Sequence, residues 1–133
     1  MTPDRLGLVR AALDAINRGD WDAALAAAGP DFEYDLTRTD SPLRGVYRRD
    51  QMRRVLEDFL GSWESVRYEP DELIESGDRV VMPFTTHFSG RQGIEMRTHA
   101  TWVFTVRDGV LTRLELFQDR DEALAAAGVE AER

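Results

Sequence analysis

The sequence predicts an α+β fold in which a curved, mostly antiparallel sheet wraps around three N-terminal helices. In the first half of the chain, apolar residues recur at helical spacing, with one short alternating segment among them. After Trp63 the pattern alternates, and four strand-like segments follow one another. Strands that cover three helices must bend around them, so we expect the sheet to enclose an interior. The length of 133 residues favours one domain over residues 1–133.

Each predicted helix has a start and a stop signal. The first begins after Thr2 and ends at Gly19, and the second spans DWDAALAAAG. The third begins at Asp50, and its apolar residues keep strict helical spacing: Met52, Val55, Leu56, Phe59, Leu60 and Trp63. A short closing helix spans DRDEALAAAG, after the last strand.

The strands are predicted from alternation and from turn signals. One short strand, DFEYDL, lies among the helices, and the later strands are SVRYEPDELIE, RVVMPFTTHF, GIEMRTHATWVFTV and VLTRLELFQ. The first of these later strands is interrupted at Pro70, and Asp108-Gly109 is typical of the hairpin turn before the last. A bulge at Pro83 would locally exchange the two faces of its strand.

One face of the predicted sheet is apolar with few polar side chains, and it should face the helices. It comprises Met82, Phe84, Thr86, Phe88, Met96, Thr98, Ala100, Trp102, Phe104, Val106, Leu114, Leu116 and Gln118, and Tyr34 on the short strand. An apolar wall with sparse orienting groups is typical of a small-molecule pocket. A filled core, in which Thr86 and Gln118 bond to the backbone, gives the same pattern. Trp102 likewise suits either stacking on a planar ligand or core packing.

Composition excludes several classes of function. Acidic residues outnumber basic ones by 25 to 17, and the net charge is −8, so neither nucleic acid nor a membrane surface is an expected partner. The sequence has no cysteine or lysine, which excludes thiol nucleophiles and Schiff bases. Two histidines cannot form a three-histidine zinc site, and we predict no metal and no cofactor. The missing cysteines and the lack of an apolar leader favour the cytoplasm.

In order and spacing, the chain resembles the SnoaL-like branch of the nuclear transport factor 2-like superfamily, which includes polyketide cyclases, ketosteroid isomerases and limonene-epoxide hydrolases. The resemblance covers roughly Leu6 to Gly128. It is carried by NRGDWDAAL, PDFEYD, LRGVYRRDQMRRVLEDFLGSW, GDRVVMPF and TWVFTVRDGVLTRLELFQDRDEALAAAG. It implies a cone-shaped α+β barrel with a deep internal pocket, often in a dimer.

The resemblance also implies catalytic positions, and this chain fills one of them. The isomerase set falls on Ala12, Leu36 and Trp102, and the hydrolase set falls on Phe84, Thr86 and Leu116. Cyclases use an aspartate at the end of the last strand, where this chain has Asp119. A carboxylate near an apolar substrate can take a proton beside a carbonyl, and Tyr34 or Gln118 would then donate to the enolate. A helix cap is the commoner role for an aspartate in this position.

Parity places several polar residues on the opposite, outer face of the sheet: Asp35, His87, Arg97 and His99. We expect Asp35 in solvent. The two histidines are expected in solvent or against a second subunit, because the resemblance implies a homodimer through this face.

Three functions therefore stay open. The first is a cofactor-independent isomerase or cyclase that acts on a small, apolar, carbonyl-bearing molecule, with Asp119 as the acid–base group. The second is a non-catalytic ligand-binding or dimeric accessory protein with the same pocket. The third is a subunit that associates through its outer sheet face, which requires a filled core.

Overall fold

The computed structural model describes residues 4–39 and 44–128, and the α+β class is confirmed. The helices are α1 (Arg5–Arg18), α2 (Trp21–Leu25), α3 (Arg49–Gly61) and α4 (Arg120–Ala126). The strands are β1 (Ala28–Asp35), β2 (Val46–Arg48), β3 (Ser65–Pro70), β4 (Ile74–Ser76), β5 (Arg79–Ser89), β6 (Glu95–Arg107) and β7 (Val110–Phe117). A short 3-10 turn, Arg91–Gly93, joins β5 to β6.

The strands form a single curled, unclosed sheet in the order β2-β1-β7-β6-β5-β3, and β4 pairs with β5 beside β3. Among the described residues, five of the six strand pairings are antiparallel, and β1 with β7 is the parallel one. The long strands β5 and β6 lie at the centre, and their eleven paired positions run without a break from Arg79 opposite Thr105 to Ser89 opposite Glu95. The predicted mostly antiparallel sheet is therefore confirmed.

Helices α1 and α3 cover the concave side of the sheet. Helix α1 buries Val9, Leu13 and Ile16 in the main core, and α3 adds Met52 and Leu56. Burial of each such side chain stabilises the fold by about 1.5–3 kcal/mol. Helix α1 ends, as predicted, at Gly19, which has a left-handed backbone (φ 72°) that residues with a Cβ rarely adopt.

The second helix is shorter than predicted. It ends at Leu25, and the chain from Ala28 onward is already part of β1. The backbone there pairs with β7, because Leu111 N–H donates to the Ala27 carbonyl at 2.8 Å. Pairing with a distant strand thus outweighs the helix propensity of the alanine run. The short strand β2 was not predicted either, and the predicted strand SVRYEPDELIE, with its interruption at Pro70, corresponds to β3 followed by β4.

The bulge considered at Pro83 is absent. The side chains of β5 therefore lie on the two faces predicted from alternation. Pro83 pairs opposite Thr101 in the unbroken β5–β6 register, and its carbonyl accepts a hydrogen bond from Asp71 N–H at 2.8 Å. The register shift between β6 and β7 lies instead between Thr105 and Val106. Met82, Trp102 and Leu116 consequently form one row across the concave face.

The outer face of the sheet is partly covered by the closing helix α4. Phe117 is fully buried, and it packs with Val81 and Val103 of the sheet against Ala123 and Leu124 of α4. This second, smaller core was not foreseen. The parts of the outer face at His87 and His99 lie outside it.

The expectation that Asp35 is solvated is wrong. Its side chain does project from the outer face, but the residue is only 6% exposed, and it forms an ion pair with Arg113 of β7. Thr37 donates to the same carboxylate through its backbone N–H, at 2.8 Å, and its hydroxyl, at 2.6 Å. The parallel pairing of β1 with β7 brings these residues together, and Arg113 also contacts Glu33 at 2.6 Å.

Two opposing effects set the acidity of Asp35. Burial raises its pKa, but the hydrogen bonds from Thr37 and the charge and hydrogen bond of Arg113 together lower it below the ordinary value. A carboxyl whose pKa is depressed by folding stabilises the folded state wherever it is ionised.

Replacing Asp35 by Asn is expected to lower the free energy of unfolding by about 1–3 kcal/mol at about pH 7. The reason is that Arg113 then loses its ion pair with Asp35, although it keeps its contacts with other carboxylates. The advantage of the wild type is fully present above the unfolded pKa of about 3.9, and it is lost as the pH falls through the lower folded value. Urea unfolding of both proteins between about pH 7 and pH 3 measures this difference.

The matched control is Asp31→Asn, since the Asp31 side chain on the same strand is 98% exposed. We expect its effect to stay within about 0.5 kcal/mol. Equal losses in the two variants, or a difference that does not shrink between about pH 7 and pH 3, would contradict the assigned role of Asp35.

Candidate functional site

A cavity of about 160 Å³ lies between α3 and the concave face of the sheet. Its apolar lining consists of Leu36, Val55, Leu56, Phe59, Phe84, Phe88, Ala100, Trp102 and Leu116. Its polar lining consists of Tyr34, Tyr68, Thr86 and Thr98. A space of this volume is comparable to a dry protein cavity of about 150 Å³ that accepts benzene.

The pleat of the strands brings these side chains together. Alternate residues of a strand share a face, so Phe84, Thr86 and Phe88 of β5 all point into the concave side. The register then sets Tyr68 opposite Thr86, and Trp102 opposite Leu116. Helix α3 closes the opposite wall with Val55, Leu56 and Phe59.

Three aromatic rings in mutual contact, tilted or edge to face with one another, line the closed end of the cavity. Phe84 lies 4.4 Å from Trp102 and Tyr68 lies 5.1 Å from it, between ring centroids, and Tyr68 and Phe84 are 5.8 Å apart. All three residues are buried. Aromatic rings at these separations attract one another beyond the effect of their burial, so they form a fixed wall.

A hydrogen bond ties Trp102 to Tyr34 across the sheet. The indole Nε1–H donates to the phenolic oxygen of Tyr34 at 3.2 Å, and Tyr34 is 3% exposed. Burial raises the pKa of Tyr34 far above its ordinary value, although the bond from Trp102 acts in the opposite direction. Tyr34 therefore keeps its proton at neutral pH.

An asparagine of α1 holds the strand segment that carries Tyr68. Asn17 Nδ2 donates to the Tyr68 carbonyl at 2.9 Å, and its Oδ1 accepts from Tyr68 N–H at 2.8 Å. This pair of bonds fixes the backbone of Tyr68 at the sheet edge. Burial, followed by the influence of Tyr34, raises the pKa of the Tyr68 hydroxyl.

The exposed lining residues mark the open side of the cavity. Phe59 of α3 is 38% exposed, and Thr98 of β6 is also exposed. Behind Phe59 lies Phe88, with the two rings edge to face and 5.8 Å apart. The opening is thus bordered by aromatic rings.

The structure brings five of the residues predicted for the site to the cavity wall: Tyr34, Phe84, Thr86, Trp102 and Leu116. Gln118 and Asp119 are exposed and are not part of this wall. The reason is the end of β7, because Phe117 turns under α4 and the following residues leave the sheet on that side. Asp119 caps α4 by accepting a hydrogen bond from Asp121 N–H at 2.8 Å.

Tyr68 and the α3 residues of the cavity wall were not predicted as part of the site. Parity does place Tyr68 on one side of its strand together with Val66, but the break at Pro70 left the direction of that side unassigned. The helical spacing of Val55, Leu56 and Phe59 indicated a buried face without showing that it borders a cavity.

Both histidines lie on the outer face of the sheet, away from the cavity. His87 Nε2 is 3.1 Å from a Glu69 carboxylate oxygen, and His99 Nδ1 is 3.1 Å from the Thr85 hydroxyl. That hydroxyl donates its proton to Asp71. Within the described residues, no group of three or more His, Asp or Glu side chains is arranged to hold a metal ion.

The fold is shared with several solved structures. TerC, co-crystallised with polyporic acid, is 23% identical over 93% of this chain and 98% of its own, with a TM-score of 0.74. An NTF2-like protein from Burkholderia pseudomallei is 24% identical over 93% and 97% of the two chains, with a TM-score of 0.76. A provisionally assigned polyketide cyclase from Xanthomonas campestris pv. campestris is 27% identical over 92% and 96%, with a TM-score of 0.66.

None of the curated proteins compared with this chain matches it. In the part of the chain that the structure describes, no helix is both long and apolar enough to cross a bilayer. The family model of the SnoaL-like domain matches residues 9–114, which include the strands and helices around the cavity. The chain therefore belongs to the SnoaL-like family.

Proposed function

We propose that the protein binds a small, flat, uncharged molecule in the cavity between α3 and the sheet. The observation that supports this most directly is the wall of contacting aromatic rings formed by Tyr68, Phe84 and Trp102. An aromatic or conjugated ligand can add a further ring contact to such a cluster. The likeness to TerC, which was co-crystallised with polyporic acid, supports a small organic ligand for this fold.

The charge of the lining favours a neutral ligand. Among the described residues, no Asp, Glu, His or Arg borders the cavity. A charged ligand would lose its hydration there without gaining an opposite charge, which costs several kcal/mol. The volume accommodates about one ring, and a longer ligand would extend through the opening beside Phe59 and Thr98.

The same feature favours binding over acid–base catalysis. Proton abstraction requires a base within hydrogen-bond reach of the substrate, directly or through one water. The described lining contains no carboxylate or imidazole, and Asp119 is engaged as a helix cap. A cyclase or isomerase reaction that depends on Asp119 stays the alternative that the resemblance implies.

The predicted homodimer also stays a proposal. Helix α4 covers the outer face at Val81, Val103 and Phe117, which leaves the region of His87 and His99 for a second subunit. Analytical ultracentrifugation over a range of protein concentrations tests it, and a monomer at all of them would contradict it.

Filling the cavity should abolish binding. Ala100 is a partly buried wall residue on β6, and Ala100→Phe places a ring where the ligand would lie. Acetophenone and the hydrocarbon α-methylstyrene serve as single-ring probes, and we expect both to bind the variant at least about tenfold more weakly than the wild type. Their titration is followed by the indole N–H signal of Trp102 in two-dimensional NMR.

The matched control is Arg97→Phe, which adds the same ring to the same strand. Arg97 is an exposed residue that borders a surface depression of the outer face and not the cavity. We expect its affinity for both probes to equal that of the wild type. Equal weakening by the two variants would mean that the probes bind elsewhere.

The role of Asp119 is tested by hydrogen exchange. An acid–base group that forms the enolate of acetophenone would speed deuterium exchange at its methyl group in D₂O, which one-dimensional NMR measures directly. From the geometry we expect no acceleration by the wild type and no change of affinity in Asp119→Asn. Asparagine is as good a helix cap as aspartate, so α4 should persist in this variant.

Acceleration by the wild type that disappears in Asp119→Asn would establish the acid–base role and overturn the preference for binding alone. Thermal unfolding of the variant provides the check that the loss does not come from a displaced α4.

A further inference from the structure

We infer that the ligand carries a hydrogen-bond-accepting oxygen, such as that of a ketone or a quinone, and that the hydroxyls of Tyr34 and Tyr68 bind this oxygen. The inference rests on the proposed function, because it concerns the same cavity. It adds the chemical class of the ligand and identifies the two residues that select it.

The bond from Trp102 fixes the direction in which Tyr34 can act. An indole N–H is a donor only, so the phenolic oxygen of Tyr34 is its acceptor. The Tyr34 proton is then left to donate, and it has no acceptor among the described residues. A buried donor without a partner costs about 1–3 kcal/mol, which an oxygen of a bound ligand would offset.

Tyr68 brings a second hydroxyl-bearing side chain to the same cavity, since both tyrosines line it. Its ring centroid is 5.1 Å from that of Trp102, whose indole donates to Tyr34, so both tyrosines contact Trp102. The Tyr68 hydroxyl likewise has no hydrogen-bond partner among the described residues. Asn17 fixes the backbone that carries it.

Both hydroxyls are present as donors at neutral pH. Burial raises the pKa of each tyrosine, and the nearness of Tyr34 raises that of Tyr68 further. Two protonated phenols suit one acceptor oxygen with two lone pairs. The rest of the lining offers the hydroxyls of Thr86 and Thr98, and it is otherwise apolar.

The test compares two probes of nearly the same shape, acetophenone and α-methylstyrene, which differ in having C=O or C=CH₂. For each protein, the Kd of the hydrocarbon is divided by that of the ketone. A general loss of affinity or stability weakens the binding of both probes and leaves the ratio unchanged. Loss of a hydrogen-bond donor weakens the binding of the ketone only, so the ratio falls. Each Kd is measured by NMR titration of the indole N–H signals.

We expect the ratio to fall about fivefold in Tyr68→Phe, as is typical when one hydrogen bond to a ligand is lost. In Tyr34→Phe the fall should be smaller, because the indole N–H of Trp102 loses its acceptor and can itself donate to the ketone. Tyr47→Phe is the control, since Tyr47 does not line the cavity and its ratio should match that of the wild type.

The two possible failures are distinct. If both probes bind the wild type, and neither Tyr68→Phe nor Tyr34→Phe lowers the ratio, the assignment of the hydroxyls is wrong while the proposed binding function stands. If neither probe binds the wild type, the proposed function fails and this inference fails with it. Tyr34→Phe also keeps the test decisive should Tyr68→Phe not fold.

Discussion

The buried indole N–H of Trp102 is the group on which the arrangement of the cavity depends. Trp102 is 1% exposed, and its hydrogen bond to Tyr34 joins residues 68 positions apart in the sequence. Without an acceptor the N–H would be unpaired in an apolar interior. Tyr34 provides the acceptor that this buried N–H requires. This requirement explains why a polar group lies at the closed end of an otherwise apolar cavity. Phe84 and Tyr68 then pack against the indole and against each other and complete the wall.

The two faces of the sheet are stabilised by different interactions. The concave face buries apolar side chains against α1 and α3, and the outer face combines a small apolar cluster under α4 with the Arg113 ion pairs. Because Arg113 connects β7 to Glu33 and Asp35 of β1, charge stabilises the parallel pairing on the side away from the cavity. The described lining of the cavity therefore contains no ionised group, and a neutral ligand can bind there.

Strand alternation was sufficient to place Phe84, Thr86, Trp102 and Leu116, because the pleat fixes which side chains share a face. The burial of Asp35 could not be predicted in this way, since it depends on an arginine 78 positions later in the chain. The alanine run after Trp21 has strong helix propensity, yet part of it pairs with β7. Gln118 continues the alternation of β7 in the sequence, but the strand ends at Phe117 and the alternation ends with it, and Asp119 was placed in the site by the resemblance alone. Local sequence patterns thus predict the helices and strands. Contacts between distant segments determine where these elements end and which polar residues reach the site.

The paired bonds of Asn17 have a consequence for the sheet as a whole. Strand β3 lies at one edge, where exposed N–H and C=O groups can recruit an additional strand from another molecule. The side-chain amide of Asn17 already bonds both the N–H and the C=O of Tyr68, as a residue of a neighbouring strand would. An intruding strand would have to displace this amide, and with it part of the attachment of α1. One polar side chain therefore positions a ring beside the cavity and, at the same point, makes the edge of the sheet a poor template for intermolecular β-pairing.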